Sequence, residues 1–145
     1  MHLFLRAGLY SVLLGLFAPA SANADEPIPP RFATTQISME QWKAYLAEVK
    51  ALPDAQCMED RIYQYTCNSS EQHTIWVFTV RGHPAHPAVS RGVMVMQQTA
   101  QGAAVSIDRS GHYAGRRAEF DLWMKQFAML DKQQVAQWQS SMQRK

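Results

Sequence analysis

The chain lacks the sequence signatures of several large functional classes. It contains no G-x-S-x-G nucleophile elbow, no H-E-x-x-H zinc motif and no glycine-rich loop of the kind that holds phosphate. Its formal net charge is only +2, so no strong field attracts nucleic acid or an anionic membrane surface. These absences favour a non-catalytic protein that does not bind nucleic acid.

Long apolar runs are also missing, except for one near the start of the chain. That run covers residues 7–18, about a dozen residues where a membrane-spanning helix needs roughly 20. Arg6 precedes the run, and the small residues Ala22-Asn23-Ala24 follow it, which is the three-part pattern of a secretory signal peptide. We therefore expect a signal peptide over residues 1–24, a periplasmic or secreted protein, and no membrane span after cleavage. The alternative, a permanent N-terminal anchor, is disfavoured by Pro19.

Cysteine is scarce, with only Cys57 and Cys67 in the whole chain. Export would deliver both thiols to an oxidising compartment, where an even number of cysteines usually forms disulfides. Nine residues separate them, a spacing that fits neither a redox C-x-x-C motif nor a zinc knuckle. We therefore predict a structural disulfide between Cys57 and Cys67.

The prolines concentrate in residues 25–37, which we interpret as an extended leader ahead of one α+β domain over residues 38–145. Ser38 and Gln41 match a capping box at the start of a helix, and Pro53 ends that helix. Its apolar stripe comprises Met39, Trp42, Tyr45, Leu46, Val49 and Leu52.

Residues rich in β-branched and aromatic side chains predict three strands, over residues 74–81, 88–97 and 103–109. A further short strand is expected near residues 61–66, and Ser110-Gly111 is expected to end the third strand. Short connections favour an antiparallel meander of three to four strands.

Helical spacing returns after the strands, in two apolar stripes. The first comprises Phe120, Trp123, Met124, Phe127 and Leu130, and the second comprises Val135, Trp138 and Met142. Asp131 could cap a second helical segment, so we expect a break or bend near Leu130. The predicted fold is an N-terminal helix, the meander, and one or two C-terminal helices packed on one sheet face.

The most unusual local feature is the tandem repeat Gly82-His83-Pro84-Ala85-His86-Pro87-Ala88, here called the His-Pro loop. Prolines at every third position favour polyproline II, in which His83 and His86 would project from the same side. In a meander, the end of the third strand returns to this loop, which would bring His112 close to both histidines. The other polar residues expected at this end are Arg81, Asp108, Arg109, Tyr113 and Arg116.

Several interpretations of this polar end remain open. In one interpretation, the role is structural: the prolines stiffen the loop and the histidines hydrogen-bond to nearby backbone carbonyls or solvent. In another, the histidines bind a protein or small anionic ligand together with Arg81, Arg109 and Tyr113. The candidate ligand-binding residues are His83, His86, His112, Arg81, Arg109 and Tyr113. A zinc or copper site on His83, His86 and His112 is an alternative, because imidazole suits both metals. A small hydrolase working through Ser110 or Asp108 is a second alternative. The leading hypothesis is an exported accessory or binding protein without a cofactor.

Overall fold

A computed structural model describes residues 32–144. The predicted signal peptide, 1–24, lies outside the described residues, as does the leader up to residue 31. Within residues 32–144, two helices and five strands follow one another. They are α1 (Met39–Lys50), β1 (Gln56–Glu59), β2 (Gln64–Ser69), β3 (Thr74–Thr79), β4 (Ala88–Thr99), β5 (Gly102–Tyr113) and α2 (Arg117–Gln143). Neither helix combines the length and the apolar character that crossing a bilayer requires.

The strands form one antiparallel sheet in chain order, β1-β2-β3-β4-β5. The α+β class and the meander are therefore confirmed, with one strand more than the sequence predicted. The additional strand is β1, which has four residues and pairs with β2 at the edge of the sheet. Cys57 lies directly opposite Cys67 in this pairing, and the two form the predicted disulfide.

The two helices cover opposite faces of the sheet. Trp76 and Phe78 of β3 belong to the apolar cluster beneath α1. Val77, between them, belongs to the cluster beneath α2, as the alternation of side chains along a strand requires. The domain therefore has two cores, one on each side of the same sheet.

The capping box predicts the start of α1 correctly. The Ser38 hydroxyl accepts from Gln41 N, and the Gln41 side chain accepts from Ser38 N at 2.8 Å. Trp42 and Tyr45 then anchor the buried face of α1. The Trp42 indole donates to the Ala88 carbonyl at 2.9 Å, and the Tyr45 hydroxyl accepts from the Trp76 indole at 3.0 Å. Both aromatic side chains thus bury their ring and still satisfy their polar atoms.

The expectation that Ser110-Gly111 ends the third strand is wrong, because β5 continues to Tyr113. Gly111 pairs with Ser90 inside the sheet. A Cβ at Gly111 would lie 2.9 Å from the Met124 sulfur and 3.0 Å from the Val89 carbonyl oxygen. The glycine therefore permits close packing of α2 against the strand, and it does not mark a turn.

The helix is not broken near Leu130 in the described chain, since α2 runs continuously through this position. Asp131 does not cap a helix, because its carboxylate accepts hydrogen bonds from the Arg109 guanidinium of β5. Leu130 itself does not join the buried stripe and is 57% exposed. The buried residues of α2 are Phe120, Trp123 and Phe127, all in the first half of the helix.

The end of the leader packs against the free edge of the sheet. The Tyr113 amide donates to the Thr35 carbonyl, and the Ile37 amide donates to the Tyr113 carbonyl, both at 2.9 Å. Gln36 forms a parallel bridge with Tyr113. Residues 35–37 therefore extend the sheet at the last residue of β5.

Candidate functional site

The His-Pro loop connects β3 to β4 at one end of the sheet. The pairing of β4 with β5 places Val89 opposite His112 and Ala88 opposite Tyr113. The loop and the end of β5 are therefore neighbours, as the predicted meander requires. The side chains at this end, however, point into different surroundings.

His83 faces the α2 side of the sheet. Its ring centroid lies 5.4 Å from that of Trp123, and its Nδ1 accepts a hydrogen bond from the Ala85 amide at 3.1 Å. Burial lowers the pKa of the His83 imidazole below its ordinary value of 6.5, and nearby His86 lowers it further, whereas Asp60 opposes both. His83 is thus a partly buried ring whose surroundings disfavour the charged form.

His86 faces α1 instead. Its ring packs edge-on against Trp42, with centroids 5.2 Å apart. The Thr79 carbonyl accepts a hydrogen bond from His86 Nδ1 at 3.0 Å, which places the hydrogen on Nδ1. The Thr79 hydroxyl also accepts from the Ala88 amide at 2.8 Å, so His86 belongs to the hydrogen-bond network that holds the loop.

His112 is buried beneath the end of the leader, with 7% of its surface exposed. Its Nδ1 donates to the Thr34 carbonyl at 2.9 Å, and its ring contacts Phe32 and Tyr45 edge-on. Within residues 32–144 its Nε2 is buried and has no hydrogen-bond partner. Burial lowers the pKa of His112, against the opposing effect of its bonds to Thr34 and Thr35.

The three histidines share one end of the sheet, but their rings contact different parts of the molecule. In the described part of the chain, no three His, Cys, Asp or Glu side chains are grouped so that they could hold a metal ion. The zinc or copper site predicted on His83, His86 and His112 stays a prediction.

The other candidate ligand-binding residues are also separated. Arg109 lies over the Phe127 ring at 4.6 Å from its centroid, and its Nε donates to Asp131 at 2.9 Å. Tyr113 is buried against Phe120, with centroids 4.9 Å apart. Arg81 is exposed. Of these three candidates, Arg81 alone has a side chain open to solvent.

Two clefts not predicted from the sequence lie along α2. One is formed with the β1–β2 turn and the His-Pro loop, and the other with β3 and β5. We call the two clefts together the α2 groove. The helix contributes Leu122, Gln126, Leu130, Gln133 and Gln137. Their spacing of three or four residues places them on a single flank. The sheet contributes Ile75 and Val77.

One end of the α2 groove is a cleft of about 470 Å³ that the His-Pro loop helps to form. His83 and Pro84 line one side, and Ile62 and Tyr63 line the other. The far end of the groove is a second cleft, of about 360 Å³, beside Trp138. The His-Pro loop thus lines a concave surface at its α2 side.

Tyr63 has a specific position in the wall of this cleft. It adopts a left-handed backbone conformation with φ of 60°, which is uncommon for a residue with a side chain. Its ring lies 3.1 Å from the place that a Cβ on Gly82 would occupy. Its carbonyl accepts from the Val80 amide at 2.9 Å. The absence of a side chain at Gly82 therefore lets Tyr63 rest on the His-Pro loop.

Charges in the α2 groove are few. Arg61 and Glu119 lie at the His-Pro end. Arg109 and Asp131 at the other end form an ion pair with each other. Between the two ends, the polar lining consists of uncharged glutamine side chains. This lining suits a ligand that is mainly apolar and carries uncharged polar groups at its edges.

The sequence contained one sign of this groove. Leu122 lies outside the predicted stripe of Phe120, Trp123, Met124, Phe127 and Leu130, so α2 carries an apolar residue on a second flank. Comparison of the chain with family models, with curated proteins and with solved structures finds no match in any of the three.

Proposed function

We propose that this protein is an exported, non-catalytic binding module that takes an apolar segment of a partner protein in the α2 groove. The supporting observation is the distribution of exposed apolar side chains. Nine large hydrophobic residues are exposed among those described, and five of them line the groove. They are Ile62 (62%), Tyr63 (56%), Ile75 (47%), Leu122 (57%) and Leu130 (57%).

Apolar side chains left exposed to water do not contribute their hydrophobic free energy to folding. Each square ångström of apolar surface left in water forgoes about 25 cal/mol. Single exposed hydrophobic residues are common, but a contiguous group in a groove marks an interaction surface. The α2 groove therefore has the composition of a site that a partner covers.

The dimensions of the α2 groove favour an amphipathic helix as its occupant. From Leu122 to Gln137 the helix flank extends about 22 Å, at 1.5 Å per residue. The sheet from β3 to β1 adds a width of about 10 Å, since neighbouring strands lie about 4.8 Å apart. Packed helices are separated by about 8–10 Å, so one further helix fits beside α2.

The partner helix should carry leucine-like residues along one face and uncharged polar residues beside them. This composition matches the apolar floor formed by Ile75 and Val77 and the glutamines on the flank of α2. The disulfide and the absence of a spanning helix among residues 32–144 are compatible with export.

A synthetic helical peptide tests this proposal. The probe carries leucines at i, i+4, i+7 and i+11, with glutamine and alanine elsewhere, and a fluorophore for anisotropy titration against the mature chain. We expect Leu122→Gln together with Leu130→Gln to raise Kd by at least about tenfold, because each removes apolar contact. The matched control is Met39→Gln together with Met96→Gln, which changes two exposed apolar residues outside the groove.

The proposal fails if both double variants weaken binding equally, or if the unmodified protein does not bind the peptide at all. Separate titrations of the same protein with other probes test the other hypotheses. Inorganic phosphate is the probe for a small anionic ligand near Arg81. Zinc and copper ions, added at pH 7 and at pH 5, are the probes for the histidines, because a protonated imidazole cannot coordinate a metal.

A further inference from the structure

The β5 strand forms the free edge of the sheet opposite to β1. It pairs with β4 over its whole length, from Thr99 opposite Gly102 to Ala88 opposite Tyr113, without a bulge. Along such a regular strand, backbone N–H and C=O groups point alternately to the two sides. One half of the backbone groups of β5 therefore points away from the sheet.

Three contacts identify which residues point outward. The Tyr113 amide and carbonyl bond with the leader, and the Ala103 carbonyl accepts from the Gln139 side chain at 3.1 Å. By the same alternation, the backbone groups of Val105, Ile107, Arg109 and Gly111 also point outward. Within residues 32–144, no hydrogen bond joins these backbone groups to another part of the chain.

Edge strands of monomeric proteins are usually protected from pairing with another chain. Common devices are proline, lysine, a bulge, or a covering segment. β5 has neither proline nor lysine, and its register with β4 is unbroken. One of its two charged residues, Arg109, is neutralised by Asp131. In the described part of the chain, the stretch from Val105 to Arg109 is therefore open to a further strand.

The leader of the same chain does not suit this stretch. Pro27, Pro29 and Pro30 precede the described residues, and proline has no N–H to donate to a neighbouring strand. The described end of the leader lies beside the last residues of β5 and bonds to the strand backbone only at Tyr113. Among residues 32–144, none supplies a strand to Val105, Ile107 and Arg109.

We propose that the occupant is β5 of a second copy, paired antiparallel about a two-fold axis near Ile107. Under this symmetry the outward groups of both copies bond to each other, and two five-stranded sheets become one continuous sheet. Asp108 then lies opposite Ser106 of the second copy. Any register that sets Asp108 opposite itself is disfavoured by like-charge repulsion.

An apolar cleft beside the strand favours this pairing. It has a volume of about 420 Å³ and is lined by Ile107, Val135, Ala136 and the stems of Lys132 and Gln139. A two-fold axis perpendicular to the sheet keeps both α2 helices on the same face. Ile107 of the second copy therefore enters the cleft between β5 and α2, and Ala136 is small enough to allow close approach of the two helices.

The mass of the mature chain, measured by sedimentation over about a hundredfold range of concentration, tests the proposal. We expect twice the monomer mass at the upper end. Ile107→Pro removes one outward N–H without removing a bond to β4, and we expect it to remain a monomer. Ile107→Val keeps the N–H and should still dimerise. A monomeric mass for the unmodified chain at every concentration would overturn the proposal.

Hydrogen exchange gives a second measurement that needs no variant. The amides of Ile107 and Arg109 point outward, whereas those of Ser106 and Asp108 bond with β4. We expect protection of the outward amides to rise with protein concentration, while the inward amides stay protected throughout. Outward amides that exchange rapidly at all concentrations would contradict the pairing even if Ile107→Pro fails to fold.

Discussion

Arg109 of β5 and Asp131 of α2 form an ion pair that fixes the long helix to the sheet. Arg109 Nε donates to Asp131 at 2.9 Å, and the side chains are only 17% and 16% exposed. The guanidinium also lies over Phe127 and donates to the Ser90 hydroxyl at 3.1 Å. An arginine that the sequence marked as a candidate ligand for anions is thus engaged within the fold.

Replacement of Asp131 by alanine should destabilise the domain, because it leaves the partly buried charge of Arg109 without a counterion. We expect a loss of about 1–3 kcal/mol in the free energy of unfolding, measured in urea. Asp121→Ala is the control, because Asp121 pairs with Arg117 at an exposed position and should cost less than about 0.5 kcal/mol. Equal losses in both variants would contradict this role of Asp131.

Gly111→Ala tests the close packing of α2 on β5. The added methyl group would meet Met124 and the Val89 carbonyl, and the carbonyl cannot move without disturbing the sheet. We expect a loss of about 1–3 kcal/mol in thermal or urea unfolding. Ser110→Ala, on the opposite face of the same strand, should change stability by less than about 0.5 kcal/mol. A neutral result at Gly111 would show that α2 is not tightly packed there.

The stability of the domain should fall as the pH drops below about 6.5, the ordinary pKa of histidine. Burial lowers the pKa of His112 and of His83 in the folded state. The unfolded chain therefore binds protons first, and the stability that is fully present above pH 6.5 is lost as the pH falls toward the lowered pKa values. Urea unfolding at several pH values between 7 and 5 measures this slope.

The variants His112→Gln and His83→Gln assign that pH dependence to individual rings. Each should flatten the slope between pH 7 and pH 5, and the double variant should flatten it further. His112→Gln also removes the aromatic contact with Phe32, so a constant loss of stability at all pH values is expected alongside. An unchanged slope in both single variants would exclude these histidines as its source.

Removal of the disulfide should affect β1 first. Cys57 and Cys67 join this four-residue edge strand to β2. We expect Cys57→Ala together with Cys67→Ala to lower the free energy of unfolding by about 2–3 kcal/mol, in line with closure of a short loop. Hydrogen exchange should show faster opening of β1 than of β4. Uniform exchange across the sheet would indicate that the disulfide does not act locally.

The parts of the fold that depend on residues close together in the sequence could be predicted from local sequence patterns. Ser38 and Gln41 determine where α1 begins, and the short turn between Thr99 and Gly102 sets the β4–β5 hairpin. The sequence predicts that β5 ends at Gly111 because glycine is common in turns. In the structure, the glycine instead makes room for Met124 of α2, which is distant in the sequence. The sequence predicts a break in α2 because Asp131 has the pattern of a cap, whereas in the structure Asp131 pairs with Arg109 within a continuous helix.

The candidate site was less predictable for a similar reason. The sequence could indicate that His83, His86 and His112 would lie at one end of the sheet. It could not indicate which helix each ring would contact. The α2 groove depends on how far α2 is displaced from β3 toward β5, and no local pattern in the sequence reports that displacement. Leu122 is apolar and lies outside the predicted stripe, but helical spacing alone does not distinguish a second, exposed apolar flank from a wider buried face.

The pairing of the leader with Tyr113 has a consequence for assembly of the domain. The bond from His112 to Thr34 joins residues 78 positions apart, and contacts between such distant positions slow folding because a large loop must close. Thr34 and Phe32 make their contacts with His112 only when the last strand is in place. A fragment that stops before residue 112 would lack this closure, so acquisition of the native state should be all-or-none across the whole domain.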